Sequence, residues 1–428
     1  VIPVRFGVGR YTWAVRLSVF TPSHRTKYLD DCYRSLAAQT LADWEWVVLL
    51  NGDAGHWAPP QADPRVRVLR APDVRGVGPA KAAACALATG DVLVELDHDD
   101  QLSTDCLAVL RSTFAEHPEA VLVHSDWADI NADGSPSEHR YDYSVGWEYV
   151  DAEVDGRNVH VCRGLIASPH NMGYVWYAPN HVRAFRREAY DRVGGIDPTF
   201  TVADDHKLMI RLFLEGDFVK VPRCLYFQRR HEGNTQWNPR LNAEIQQQTV
   251  HLYRQSISVL TRAWCRRNRL AEVTLRVRGA LPSEVQPVGV VVEVDPDSPS
   301  IPLPDSSVGA LHLYDVLQHV SAPGPFFNEC YRVLAHAGLC FSETPSTEGR
   351  GGFQNPSHRS YWNENSFWYI VDPVLRAAVP GLDARFQISQ VRTWHPTPWH
   401  ASRQMGYVHA NLIALKDGPR QGGPLGAT

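Results

Sequence analysis

No stretch of the sequence approaches the roughly 18 consecutive apolar residues of a membrane-crossing helix, and Arg5, Arg10 and Arg16 punctuate the start without an apolar, signal-like block. A cytoplasmic location is the expectation from that pattern. Cysteine is sparse and lacks motif spacing: the eight, at 32, 85, 106, 162, 224, 265, 330 and 340, form no Cys-x-x-Cys pair. That argues against zinc ribbons and a disulfide framework; several of them fall in apolar periodic segments, where buried thiols are expected. An excess of one charge is also missing. A formal net charge of −5 over 428 residues gives no global attraction to nucleic acid or anionic membrane. What remains is ordinary globular material, 44% hydrophobic and 21% charged, sufficient for a large core and two or more domains.

The chain is organised around Gly90-Asp91-Val92-Leu93-Val94-Glu95-Leu96-Asp97-His98-Asp99-Asp100. An apolar run that reads as a buried strand empties into carboxylates, and Asp97 and Asp99, two apart at a strand end, can reach one ligand. Acids this close repel unless a cation sits among them. A hard divalent ion such as Mn²⁺ or Mg²⁺ suits such oxygens and can bridge to a diphosphate. The same residues also suit an acidic turn before a helix capped by Ser103 or Thr104.

The surrounding pattern decides between these. Strands are expected at 17–20, 46–50, 66–69 and 120–123, with helices at 27–39, 79–88 and 104–117 between them. Alternation of this kind argues for a mostly parallel α/β sheet covered on both faces. The aromatic and histidine-rich span 139–180 shows no periodicity and reads as a functional loop region. Regularity is expected to return at 181–192, in a helix opening at Ala203-Asp204-Asp205-His206, in short strands at 219–221 and 225–227, and in a long helical region over 241–268.

Taken as an ordered set, several elements resemble family 2 glycosyltransferases of the GT-A fold. They are Phe20-Thr21-Pro22-Ser23-His24-Arg25, Asn51-Gly52-Asp53 closing a strand, Arg75-Gly76-Val77-Gly78-Pro79-Ala80-Lys81, Asp97-His98-Asp99-Asp100, Gly194-Gly195-Ile196-Asp197, Ala203-Asp204-Asp205 and Arg230-His231. The resemblance implies a Rossmann-like nucleotide-diphospho-sugar transferase domain over 1–238. It implies that Thr21, Pro22 and Arg25 line the nucleotide pocket, that Asp53 accepts from the base, and that Lys81 lies near the diphosphate. Asp97 and Asp99 would hold Mn²⁺ or Mg²⁺, with His231 as a third ligand or a phosphate contact, and Asp97 would also face the donor. Asp205 would be the general base of an inverting transfer, supported by Asp204. Asn51 and Lys81-Ala82 depart from the usual acid and Arg-Asn, which leaves the base and donor open between UDP, favoured, and GDP or dTDP. Arg183, Arg186 and Arg187 read as a solvated helix face or as a basic patch contacting phosphate or an anionic acceptor, and Arg187 is taken as acceptor-side.

Beyond a helical linker, 239–270, the region 271–415 resembles class I methyltransferases that bind S-adenosylmethionine. The likeness lies in Ile301-Pro302-Leu303-Pro304-Asp305-Ser306-Ser307-Val308, Leu317-Gln318-His319-Val320, Glu329-Cys330-Tyr331-Arg332-Val333-Leu334 and Ala337-Gly338-Leu339. A second Rossmann-like domain follows from it. Its cofactor turn reads Arg276-Val277-Arg278-Gly279-Ala280, with Arg276 in place of an acid and side chains where glycines should let backbone approach the ligand. Glu293 or Asp295 is left as the ribose acid. S-adenosylmethionine binding is therefore not expected, and the domain is read as inactive, serving packing, dimerisation or acceptor binding. Residues 416–428 read as a flexible tail.

The expected activity is transfer of a sugar from a nucleotide-sugar donor to a hydroxyl acceptor, which the sequence leaves open among small molecule, glycan, protein and modified DNA. The alternatives are a bifunctional glycosyltransferase and methyltransferase, or a non-catalytic sugar- or nucleotide-binding protein.

Overall fold

The computed structural model describes residues 15–142, 145–200, 202–233, 238–280, 285–298, 300–416 and 420–423. The chain divides into two compact units, and the division is not a single cut. One unit takes 1–140, 149–164 and 179–246; the other takes 141–148, 165–178 and 247–428.

The first unit is built on a large mixed sheet. In chain order its elements are β1 (Leu17–Ser23), α1 (Leu29–Ala37), β2 (Trp44–Asn51), β3 (Val66–Ala71), α2 (Val77–Leu87), β4 (Val92–Glu95), β5 (Gln101–Leu102), α3 (Cys106–Glu116), β6 (Ala120–Ile130), β7 (Tyr149–Val154) and β8 (Arg157–Cys162). After α4 (Pro169–Tyr174), which belongs to the second unit, come β9 (Arg183–Arg186), α5 (Arg187–Arg192), α6 (Asp204–Glu215) and β10 (Asp217–Arg229). The strand order is β3-β2-β1-β4-β9-β6-β10-β5, with the β7–β8 hairpin attached to β6 through β8. Pairing is parallel from β3 to β4 and between β6 and β10, while β9 lies antiparallel to both its neighbours. All four residues of β4 and all eleven of β6 are buried, as expected of interior strands covered on both faces, and the polar ones among them, Glu95 and His124, Ser125, Asp126 and Asp129, are buried with the rest.

The chain runs from β1 outward to β2 and β3, then returns to place β4 on the other side of β1. That reversal is a topological switch point, and ligands of open α/β sheets collect at the carboxyl ends of the strands there. Gly90 allows the return: a Cβ on it would meet Ser18 Oγ at 2.5 Å and Arg16 O at 2.7 Å.

Three sequence expectations change. The two short strands at 219–227 are one strand, β10, whose register slips around Pro222 and Arg223. The span 181–192 is a strand followed by a helix. The irregular span contains the β7–β8 hairpin, turned by Asp155 and Gly156 with φ of 49° and 73°.

In the second unit, α7 (Pro239–Asn268), an unbroken 30-residue helix that starts in the first unit, leads into β11 (Ala271–Val277), β12 (Val290–Val294), β13 (Val308–Tyr314), α8 (Pro323–Val333), β14 (Leu334–Pro345), α9 (Glu364–Val371), β15 (Phe386–Trp394) and β16 (Tyr407–Ala414). The sheet order is β12-β11-β13-β14-β16-β15, parallel from β12 to β14 and antiparallel across β16 and β15. Tyr253, Ile257 and Cys265 of α7 pack against Ala310, Leu339, Phe341 and Ile413 of this sheet. Residues 165–178 complete it: His170 Nδ1 lies 2.7 Å from Ser389 Oγ, and Ser168 Oγ donates to Gln421 Oε1 at 2.6 Å. The expected tail is thereby corrected in part. Gln421 is fully buried and its amide N donates to Gln387 Oε1 at 3.1 Å, while 417–419 and 424–428 lie outside the described residues.

All eight cysteines are buried and free. Among the described residues no helix is long and apolar enough to cross a membrane.

Candidate active site

Glu95 ends β4, and the antiparallel register that sets Val92 against Arg186 and Val94 against Ala184 brings Arg183 opposite Glu95 when continued by one step. Arg183 Nε donates to Glu95 Oε2 at 2.8 Å, and Lys81, from the buried side of α2, pairs with Oε1. Burial would raise the Glu95 carboxyl, but the Arg183 and Lys81 cations hold it well below the usual range. Lys81 Nζ also lies 3.9 Å from Asp97 Oδ1.

The acidic turn is fastened by the end of β10. Tyr226 Oη accepts from the Asp97 amide at 3.1 Å and donates to Asp100 Oδ2 at 2.7 Å, and the Arg229 amide donates to Asp100 Oδ1 at 2.6 Å. The buried Arg229 side chain reaches Asp99 O at 2.7 Å and Asp31 Oδ2 at 2.8 Å. Both carboxylate oxygens of Asp100 are thus committed to fastening the turn. His231 Nε2 sits 2.7 Å from Asp99 Oδ2, and its Nδ1 accepts from the Gly233 amide at 3.0 Å, so the proton belongs on Nε2. A cavity of about 350 Å³ opens beside this pair, lined by Arg25, Lys27, Tyr28, His98 and the 231–233 loop.

Asp205 stands in the first turn of α6, after Ala203 in a left-handed conformation with φ 56° and no side-chain cap. Its Oδ2 accepts from Arg183 Nη1 at 3.0 Å and its Oδ1 from the His206 amide at 2.8 Å. Burial works against ionisation, yet Arg183 and Lys81 keep the Asp205 carboxyl below its ordinary value. Asp204 goes the other way: burial and the charge of Asp205 push it up to about 6.

The structure sorts the expected residues. Asp97, Lys81, Asp204 and Asp205 meet in one network, and Arg25 lines the neighbouring cavity. Thr21 does not face a ligand: it is fully buried, donating to Leu96 O at 2.7 Å and accepting from Trp46 Nε1 at 2.8 Å. Pro22 beside it is half-buried. Asp53 is 90% exposed and held by Arg75 at 2.9 Å. Lys81 is spent on Glu95 and is not free to meet a phosphate alone. Arg187 is corrected: it donates to Gly90 O at 2.7 Å, at the opposite end of β4 from Asp97, so it cannot stand on the acceptor side. Arg186 likewise binds the carbonyls of Ala120 and Phe114, and Arg183 is buried in the network. Sequence reading passed over Glu95 and His181. A lone acid inside an apolar strand was the available signal, since a buried carboxylate demands a cation.

Glu95, Asp97 and His181 offer ligand atoms within 4.8 Å of one another. Two of the three are already committed, Glu95 to two cations and His181 Nε2 to Arg183 Nη2 at 3.0 Å. Lys81 and Arg183 face four carboxylates, Glu95, Asp97, Asp204 and Asp205. With Asp99 on the same turn, that surplus of hard oxygen fits a divalent cation.

Residues 18–194 match the family model "Glycosyl transferase family 2", and 271–342 match "Methyltransferase domain". The N-terminal region is a family 2 glycosyltransferase domain. Asp205 and His231 lie beyond the matched span of this glycosyltransferase domain, so their place in the site rests on the geometry above. The chain is 28% identical over 213 residues, 48% of its length, to the "O-antigen biosynthesis protein RfbC" of Myxococcus xanthus, and 22% identical over 228 residues, 51% of its length, to the "Chondroitin synthase" of Escherichia coli. The matches span only 15% and 29% of those two proteins. Similar solved structures include S. aureus TarS 1-349 in complex with UDP-GlcNAc, 14% identical with a TM-score of 0.41, covering 59% of this chain and 73% of that one. Another is the mannosyltransferase PcManGT from Pyrobaculum calidifontis in complex with GDP-Man and Mn²⁺, 15% identical with a TM-score of 0.37, covering 63% of this chain and 78% of that one.

Proposed function

We propose that the glycosyltransferase domain transfers a sugar from a nucleoside-diphosphate donor, UDP-linked by preference, to a hydroxyl acceptor with inversion at the anomeric carbon. The observation that carries this reading is Asp205, kept ionised by Arg183 and still 24% exposed in its side chain, in the network that contains Asp97. A general base has to be charged and reachable, and Asp205 is both. It takes the acceptor hydroxyl proton while the oxygen attacks opposite the departing diphosphate. One carboxylate suffices because the nucleoside diphosphate is already a good leaving group.

Asp97 and Asp99 would hold Mn²⁺ or Mg²⁺, which when bound supplies charge for the leaving diphosphate. His231 in this reading orients Asp99, since serving as a direct ligand would require it to release one of its two hydrogen bonds. Arg25 and Lys27 add positive charge to the adjoining cavity. The names of the two curated relatives support a glycan hydroxyl as the acceptor.

The second domain, we propose, does not methylate. Gly279 is the one glycine left in the turn after β11, and the described residues of the 12-residue connection from β11 to β12 form no helix, so they supply no helix N-terminus to meet the cofactor.

A thermal-shift panel of UDP, GDP and dTDP with and without Mn²⁺ tests the donor site. One nucleotide should raise Tm only with metal and lose that effect in Asp99→Ala. Equal shifts without metal, or an unchanged shift in Asp99→Ala, would overturn the metal-bound donor reading.

A further inference from the structure

We propose that Arg183 is the positioning residue that sets Asp205, tying the base to the donor-side carboxylate Glu95 through one immobilised guanidinium. The inference rests on Asp205 being the base, and goes beyond it by naming what holds that base in place.

Each nitrogen of Arg183 has its own partner. Nε donates to Glu95 Oε2 at 2.8 Å, Nη1 to Asp205 Oδ2 at 3.0 Å and Nη2 to His181 Nε2 at 3.0 Å. The N–H bonds of a guanidinium lie in one plane, so a turn of the group would break several of these bonds together. Its backbone is equally fixed, because β9 is wedged between β4 and β6. His181 is held in turn: its ring stacks on Tyr226 with centroids 4.8 Å apart, and its Nδ1 lies 3.2 Å from Asn180 Oδ1.

Asp205 has far less to fix it. Ala203 gives α6 no side-chain cap, and the other hydrogen bond to its carboxylate among the described residues comes from the amide of the next residue, His206. Beside the more distant charge of Lys81, Arg183 therefore supplies the long-range hydrogen bond that restrains that carboxylate. The arrangement is a poor choice for stability alone. The Arg183 side chain is 3% exposed and that of Glu95 4%, and charges so placed commonly add nothing over apolar residues of the same volume. A role in aiming Asp205 accounts for keeping them. It also links the two ends of the reaction: Lys81, which holds the other oxygen of Glu95, lies beside Asp97 on the donor side. Lysine could not substitute, since one ammonium cannot present three coplanar donors to three acceptors.

The test uses the full chain with Mn²⁺ and a panel of UDP-, GDP- and dTDP-sugars, with water and a mixture of simple glycans as acceptors, reading nucleoside-diphosphate release by wild type, Arg183→Lys, Asp205→Asn and the double variant. Arg183→Lys should lower kcat roughly 100-fold while changing donor KM less than about threefold. The double variant should be no slower than Asp205→Asn alone, because two residues acting through one carboxylate are not additive. Losses that multiply in the double variant, or a raised KM with unchanged kcat, would overturn the positioning role. Wild-type turnover in Asp205→Asn would overturn the base assignment instead, and no release by wild type from any donor would overturn the transferase reading. Should Arg183→Lys fail to fold by circular dichroism, Arg183→Gln combined with Glu95→Gln removes that ion pair as a unit, leaving Lys81 beside Asp97, and is held to the same outcomes.

Discussion

His231 Nε2 lies 2.7 Å from Asp99 Oδ2, and the same ring accepts from the Gly233 amide through Nδ1. The imidazole is therefore locked in one tautomer with its proton aimed at the carboxylate. Removing it as His231→Ala should weaken Mn²⁺-dependent donor binding by roughly 10- to 100-fold, the usual effect of losing the group that orients a metal ligand. Titrating Mn²⁺ against turnover checks this. An unchanged half-saturating concentration would mean that His231 has no part in the metal site.

Asp53 and Arg75 form an exposed pair, with Nη1 2.9 Å from Oδ2. Pairs so open to water add little to folding, so Asp53→Ala should leave Tm unchanged. If Asp53 also accepts from the nucleotide base, the same change raises donor KM about tenfold at constant kcat. Steady-state kinetics on the variant separate the two effects, and an unchanged KM would remove Asp53 from the donor site.

His124 sits on β6 with both ring nitrogens buried and without a hydrogen-bond partner, and burial lowers its pKa to about 3. The folded protein thus keeps this ring neutral at pH values where the unfolded chain, at about 6.5, takes up a proton. The contribution of this residue is complete well above pH 6.5 and is lost as the pH drops from there toward 3. At pH 5 the cost is about 2 kcal/mol from this residue. His170, lowered to about 4 by burial, adds to the loss in the same direction. Chemical denaturation of His124→Phe at pH 7.5 and pH 5 should show a smaller acid penalty than wild type, and an equal penalty would rule His124 out as its source.

Calorimetry with S-adenosylmethionine should detect no binding to the full chain. Arg276 and Arg278 are exposed beside the turn after β11, and Asp295 is engaged by the Asp297 amide at 2.9 Å. Stoichiometric, tight binding would show instead that the second domain retains its cofactor site.

Much of the first sheet was legible because buried strands are short apolar runs and the helices between them repeat at helical spacing. Residues 92–100 announced themselves through chemistry, a hydrophobic run ending in acids. The β7–β8 hairpin could have been read as well: Asp155-Gly156 between alternating residues is the strongest short hairpin signal, and the aromatic content of the span drew attention elsewhere. Arg183 and Arg187 were not separable from sequence. They are four residues apart in a segment that reads equally as helix, yet one ends in the carboxylate network and the other at Gly90, because a strand turns into a helix between them. Only the register against β4 distinguishes them. His181 and Glu95 likewise acquire meaning from residues nearly ninety positions apart in the chain.

The interleaving of the two units bears on how such a protein can be inherited and engineered. Residues 141–148 and 165–178 belong with the C-terminal sheet, where Val145 O accepts from the Gly423 amide at 3.1 Å and Asn171 Oδ1 from the Gly422 amide at 2.9 Å. A gene fragment ending near codon 246 would encode those segments without the C-terminal residues they pack against. The C-terminal portion is accordingly not a cassette that one recombination event can add or remove. Swapping it between related genes would take matched exchanges at three places, 141–148, 165–178 and 247–428.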